Sequence, residues 1–276
     1  MGTVSETILL WDALYFRTLV DDYSRGVRVY LTREKSEASK FLMILYQLVK
    51  TQFGKSVKRI RTENGLEFDG PMRTFYEEHG IVHETSCVDT PQQNGPVERK
   101  HRHILEVARA LRFQASLPIK FWVECVLTAA YLINHTHTVQ LHKKSSYEFL
   151  FGSSPSYDHI KVFGCLCYAH NNPRQKDKFG SRSRRCIFVG YPYNKKGWRL
   201  YNLEQHTFFY SRDVSFHEDT FPFAQAIHDT IQSVVNPVSN LFDDLEGSEH
   251  IMKEPERAND GHDASQTQGG VLVRLE

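Results

Sequence analysis

Two glutamates beside glycine turns are the residue types that metal-assisted phosphodiester chemistry uses. Glu63 stands in Thr62-Glu63-Asn64-Gly65-Leu66-Glu67-Phe68, directly after the β-rich stretch Val57–Arg61. Glu98 stands in Pro91-Gln92-Gln93-Asn94-Gly95-Pro96-Val97-Glu98-Arg99-Lys100, where a helical pattern begins, and 34 residues separate the two acids. In-line displacement at phosphorus is assisted by two divalent ions about 3.5–4 Å apart that clamp the attacking and leaving oxygens. Mg2+ asks for near-octahedral oxygen ligation at about 2.0–2.1 Å, so its carboxylates must be rigidly held. A strand end and a helix start are suitable supports.

The elements that must position them can be read from periodicity. Tyr15–Val20 and Val27–Thr32 are β-rich around the turn Asp21-Asp22-Tyr23-Ser24-Arg25-Gly26, which predicts an antiparallel hairpin. Asp21 and Asp22 read as turn stabilisers, with Arg25 as a pairing partner. Ser36 offers an N-cap to a helix carrying Phe41, Leu45, Leu48 and Val49, which Gly54 stops. Val57–Arg61 predicts a short strand, 71–79 a brief helix and Ile81–His83 another strand. Helices follow over Val97–Phe113 and Pro118–Asn134. This succession predicts a mixed α/β layered domain. After Leu150 the pattern shifts to short β segments at His159–His170, Arg185–Tyr191, Gly197–Asn202 and Thr207–Phe216. They predict a small all-β barrel. From Ala224 the chain is acidic and weakly periodic, which predicts a disordered tail with a short helix around Ala224–Val235.

Formal net charge is only +1, yet its distribution is uneven. Residues 174–199 hold nine bases and one acid, whereas 218–276 hold twelve acids and three bases. A basic middle and an acidic tail can act on different partners. Five cysteines form no disulfide framework and suit a reducing compartment. With no secretion leader and no apolar run near the roughly 20 residues a membrane span needs, cytosol or nucleus is expected. Cys165 and Cys167, flanked by His159 and His170, could ligate zinc, but two small core residues of a barrel strand explain the cysteines as well.

Several segments together resemble the integrase region of copia-type long-terminal-repeat retrotransposon polyproteins. They are Val20-Asp21-Asp22-Tyr23-Ser24-Arg25, Arg59-Ile60-Arg61-Thr62-Glu63-Asn64-Gly65, and His83-Glu84-Thr85-Ser86-Cys87 running on through Pro91 to Lys100. Phe121-Trp122, Tyr131-Leu132-Ile133-Asn134, Val162-Phe163-Gly164-Cys165 and Ser211-Arg212-Asp213-Val214 follow in the family's order, so the resemblance covers about residues 13–223. It implies a ribonuclease-H-like integrase core over 1–150, an SH3-like β-barrel module over 151–223 and the acidic tail over 224–276. It also implies DNA integration by divalent-metal-dependent polynucleotidyl transfer, with Mg2+ or Mn2+ as cofactor, element ends and target DNA as partners, and room for a homo-oligomer.

In that family three acids hold the metals: one Asp on the first strand, one Asp after the central strand, and a Glu on the helix. By motif Glu98 is the third ligand, and Glu63 stands where the second Asp belongs. Glu is one methylene longer, and a productive site tolerates only about 0.5 Å of misplacement. Counted back by the family's layout, the strand bearing the first Asp would be expected ahead of residue 1. Asp12 lacks the Gly-Pro that follows that Asp in the family. Losing this strand predicts an unpaired sheet edge, for which residues 4–12 are a substitute.

Candidate nucleic-acid contacts are Gln93 and Asn94 in the loop before the helix, Arg99, Lys100 and Arg102 after Glu98, and Arg182, Arg184 and Arg185 in the barrel module. Two readings stand side by side: an integrase domain with impaired catalysis, and a catalytically dead nucleic-acid-binding remnant.

Overall fold

The computed structural model describes residues 13–63, 65–85, 94–171, 181–193, 195–225 and 270–275. Two five-stranded sheets share these residues. Strands β1 (Tyr15–Asp21) and β2 (Val27–Thr32) form the expected hairpin, in register from Tyr15↔Thr32 to Val20↔Val27. Its turn is closed by the Asp21 carboxylate, which accepts from the Ser24 amide at 2.9 Å and the Ser24 hydroxyl at 2.5 Å. Asp22 pairs with Arg25 at 2.8 Å.

Helix α1 (Ala38–Phe53) buries the stripe Ala38, Leu42, Leu45 and Val49 and ends at left-handed Gly54. Ser36 does not cap it. A short 3-10 turn, Lys35–Glu37, precedes the helix, and the Glu37 carboxylate reaches back to the amides of Arg33 and Glu34. Strand β3 (Val57–Thr62), helix α2 (Pro71–Glu78) and strand β4 (Val82–Thr85) follow, with β4 parallel to β3. Helix α3 runs Gly95–Gln114 and α4 runs Trp122–His135. A two-residue ladder of β5 (His137–Thr138) and β6 (Lys144–Ser145) leads into α5 (Ser146–Phe151), which Ser145 caps by accepting from the Glu148 amide.

The second sheet comprises β7 (Leu166–His170), β8 (Ser183–Gly190), β9 (Trp198–Asn202), β10 (Phe208–Ser211) and β11 (Val214–His217), in the order β10-β9-β8-β7-β11. The single strand expected over Thr207–Phe216 is therefore two. Only Arg212 and Asp213 join the outermost strands β10 and β11, so the sheet must curl until its edges nearly meet.

Two further expectations are corrected. Strand β12 (Gly270–Leu275) lies in the middle of the first sheet, in the order β2-β1-β12-β3-β4, parallel to β1 and antiparallel to β3. The tail is thus not disordered at 270–275; residues 226–269, with most of the helix expected around Ala224–Val235, lie outside the described residues. The edge expected to be unpaired is paired, by β12. The alternative donor, 4–12, and Asp12 lie outside the described residues.

The period-two alternation of β12 fits both faces of the sheet. Val271 and Val273 join Leu19, Leu42, Leu45, Ile60 and Met72 beneath α1 and α2, while Leu272 meets Val20 and Val97 beneath α3. A larger apolar cluster runs through both sheets: Phe16, Val27, Ile104, Phe121, Ala129, Ile133, Ile187, Val189 and Tyr201. Helix α4 is apolar on most of its circumference because β2 and β8 cover it from two sides. Gly190, at φ 132°, allows the close approach; a Cβ there would lie 2.6 Å from the Thr128 hydroxyl. Among the described residues, no helix is long and apolar enough to cross a membrane.

Candidate nucleic-acid interface

Glu63 is half-buried one residue beyond β3, and its carbonyl accepts from the Gly65 amide at 2.7 Å. The next turn is fixed by Glu67, whose carboxylate meets the Arg17 guanidinium at 2.7 Å. Before it, the buried Thr62 hydroxyl hydrogen-bonds His83 Nε2 at 2.9 Å. Glu98 is exposed in the first turn of α3, where a carboxylate is favoured by the helix dipole. Arg61 and Leu272 are register partners, so two residues further on Glu63 is level with Gly270. The Gly270 carbonyl in turn accepts from Asn94 Nδ2 at 3.2 Å, four residues before Glu98. The structure therefore brings Glu63 and Glu98 to one end of the first sheet.

No third acid joins them among the described residues. The Asp21 and Asp22 carboxylates serve the hairpin turn. Glu84 pairs with Arg59 at 2.5 Å and Arg61 at 2.7 Å, and those guanidiniums hold it below the usual carboxylate range. Strand β12 reads Gly-Val-Leu-Val-Arg-Leu and brings no carboxylate. Among the described residues, no three His, Cys, Asp or Glu side chains come together as a metal cradle. Two glutamates do not fit the three-acid donor set that the resemblance implies.

The basic candidates divide. Arg99 and Arg102 are exposed on α3 beside Glu98. Lys100 is half-buried, and burial, with the nearby Arg25 charge, pushes its amine below the ordinary lysine value. Asn94, a candidate contact in the loop, is 1 % exposed, with its Nδ2 donating to the Gly270 carbonyl. Gln93 lies outside the described residues. In the second sheet Arg182 and Arg185 are exposed, whereas Arg184 is half-buried with its guanidinium 4.5 Å from the centre of the Phe209 ring. Strand alternation puts Arg184 and Arg185 on opposite faces of β8, so the run does not form one patch.

One basic group was missed. Arg59, Arg61 and Arg274 line a shallow recess of about 50 Å3 with Asp22, Glu84 and Leu272. The two-residue spacing of Arg59 and Arg61 was the available signal. The arrival of Arg274 beside them depends on a strand pairing across the length of the chain. The zinc reading of the cysteines gives way to packing: Cys165, Cys167 and Cys186 are buried in one apolar cluster with Phe188 and Leu200. Burial pushes the Cys165 thiol up to about 12 and that of Cys186 up to about 11.

Residues 165–229 match the family described as the retroviral polymerase SH3-like domain. Over 210 residues, 76% of this chain, the sequence is 35% identical to the retrovirus-related Pol polyprotein from transposon RE1 of Arabidopsis thaliana. Over 224 residues, 81% of this chain, it is 35% identical to that from transposon TNT 1-94 of Nicotiana tabacum. The chain is a homologue of copia-type Pol polyproteins. It spans only 14% and 17% of the length of those two relatives. Among solved structures, the simian T-cell lymphotropic virus intasome in complex with PP2A regulatory subunit B56 gamma is loosely similar over 70% of each chain, at 15% identity and TM-score 0.40. In this copia-type Pol homologue, β7 to β11 fall inside the segment matched to the SH3-like domain.

Proposed function

We propose that this chain is a retrotransposon-derived integrase domain that binds DNA and has lost most or all of its metal-dependent polynucleotidyl transfer. In this reading residues 1–150, completed by 270–275, are a ribonuclease-H-like core, and 151–223 are its SH3-like module. The homology to copia-type Pol polyproteins supports the ancestry, and the placement of Glu63 and Glu98 at one sheet end supports the position of the old site.

The observation that carries the impairment is β12. The central strand delivers Gly270 to the end where Glu63 and Glu98 lie, and it carries no acid. Mg2+ or Mn2+ would find two glutamates there in place of a rigid three-acid set of oxygens. DNA binding rests on Arg99, Arg102, Arg182 and Arg185, whose exposed guanidiniums would take phosphate oxygens without reading sequence.

A strand-transfer assay with Mg2+ or Mn2+ tests the loss: the expected product level equals that of Glu98→Gln. Product that this substitution abolishes would overturn the reading. Fluorescence anisotropy on duplex DNA tests the binding. Affinity should drop steeply between about 50 and 200 mM salt, survive Glu98→Gln, and lose about 0.9 in salt slope for each phosphate-contacting arginine neutralised.

A further inference from the structure

Strand β12 sits at the centre of the first sheet, yet residues 226–269 separate it from Gln225, the last residue described before it. The elements around it are already paired among themselves. The hairpin β1–β2 is bonded on one side and the parallel pair β3–β4 on the other. Helices α1 and α2 close one face, and α3 closes the other near β1. What is left between β1 and β3 is a slot one strand wide.

The slot has stringent chemistry. Its walls offer main-chain hydrogen bonds in both directions, parallel from β1 and antiparallel from β3. The Asp22 amide donates to the Val273 carbonyl at 2.7 Å, and Asn94 Nδ2 donates to the Gly270 carbonyl. Three successive apolar side chains are buried, Val271, Leu272 and Val273 at 4, 7 and 1 % exposure, two towards one face and one towards the other. At position 270 only glycine fits, because a Cβ built there would fall inside the Val97 side chain.

We propose that the gap between β1 and β3 is a peptide-binding site of the strand-addition type, and that residues 270–275 are this chain's own tethered ligand for it. The ligand class is an extended segment with glycine first and three apolar residues after it. In strand addition the main-chain ladder supplies affinity and the alternate side-chain pockets supply selectivity. This site owes nothing to DNA or metal, so its test is separate from that of the proposed function.

The experiment uses the full chain with a specific protease site placed within 226–269. After cutting, the C-terminal fragment is expected to co-elute with the body of the protein in native buffer and to separate in denaturant. A labelled synthetic peptide, Gly-Gly-Val-Leu-Val-Arg-Leu, added in excess, is expected to replace the fragment and gain anisotropy. The same peptide with valine in place of its second glycine should bind at least about tenfold more weakly, because extra volume in a filled site is not absorbed. The variant is confined to the peptide, so folding of the protein is untouched. The proposal is overturned if the fragment separates in native buffer, if the labelled peptide fails to exchange, or if the two peptides bind alike.

Discussion

His101 shows how a basic-looking run hides inward-facing residues. It lies between Lys100 and Arg102 in sequence, but the helical period turns it under α3. There its ring stacks on Phe16 at 4.5 Å, and Nδ1 hydrogen-bonds the Thr18 hydroxyl at 2.8 Å. Burial holds its imidazole below the ordinary value, and burial does the same to His135 on α4, partly opposed there by the hydrogen bond to the Tyr131 carbonyl. A histidine with a lowered folded value refuses protons that the unfolded chain accepts. Stability is then flat above about pH 6.5 and falls as the pH drops from there towards the folded values. Thermal melts should show a lower midpoint at pH 5 than at pH 7. The slope between them should approach about 1.4 kcal/mol per pH unit for each histidine that stays neutral, and a midpoint that rises on acidification would contradict the buried, neutral assignment. The position of Glu98 was legible in the sequence because a Pro-rich lead-in and a helix start are local signals. The burial of Asn94 and Arg184 was not, because it depends on Gly270 and Phe209, and proximity between distant segments leaves no local trace.

Elements were legible wherever period and turn chemistry agreed. The first hairpin ends within a residue of its expected bounds because β-branched runs flank a turn whose own aspartates close it. The helix bearing Glu98 starts two residues earlier than its apolar period suggests, since Gly95 and Pro96 enter its first turn. Strand β12 was illegible for a physical reason. A six-residue stretch with four apolar side chains at the end of an acidic, aperiodic segment has no preference of its own; the slot between β1 and β3 supplies it. The register makes a testable statement, since Arg274 lies directly across from Arg59 and cross-strand like charges repel. Replacing Arg274 with Gln removes that repulsion without setting a new carboxylate beside Asp22 and Glu84, which share the recess. Urea unfolding at low salt should show a gain of roughly 0.2–1 kcal/mol that shrinks as salt rises. A loss instead would mean that the strand pairs in another register.

At the scale of the whole molecule, the shared apolar cluster makes the two sheets one mechanical body. Phe121, fully buried just before α4, touches Tyr201, Phe208 and Phe223 from the second half of the chain, while α4 itself lies against β2 of the first sheet. A buried polar link joins the same two parts. Arg199 of β9 donates to Glu124 of α4 at 3.0 Å, with side-chain exposures of 8% and 4%. Burial pushes the Glu124 carboxyl up, and the Arg199 charge opposes that push, so each charge is tolerated only because of the other. Deleting one partner of a buried pair strands the other and costs about 3–5 kcal/mol, whereas replacing both with apolar residues of similar size is close to neutral. Glu124→Leu and Arg199→Met should therefore each destabilise strongly, and the double variant should recover most of the loss. Equilibrium unfolding followed both by tryptophan fluorescence and by far-ultraviolet dichroism should give one coincident transition for the parent chain. Trp122 reports on α4 and Trp198 on the second sheet, so two separated transitions would show that the halves unfold independently. Coincidence would mean that Arg182 and Arg185 and the arginines beside Glu98 are carried on one frame, which would fix the spacing at which the proposed DNA ligand meets both.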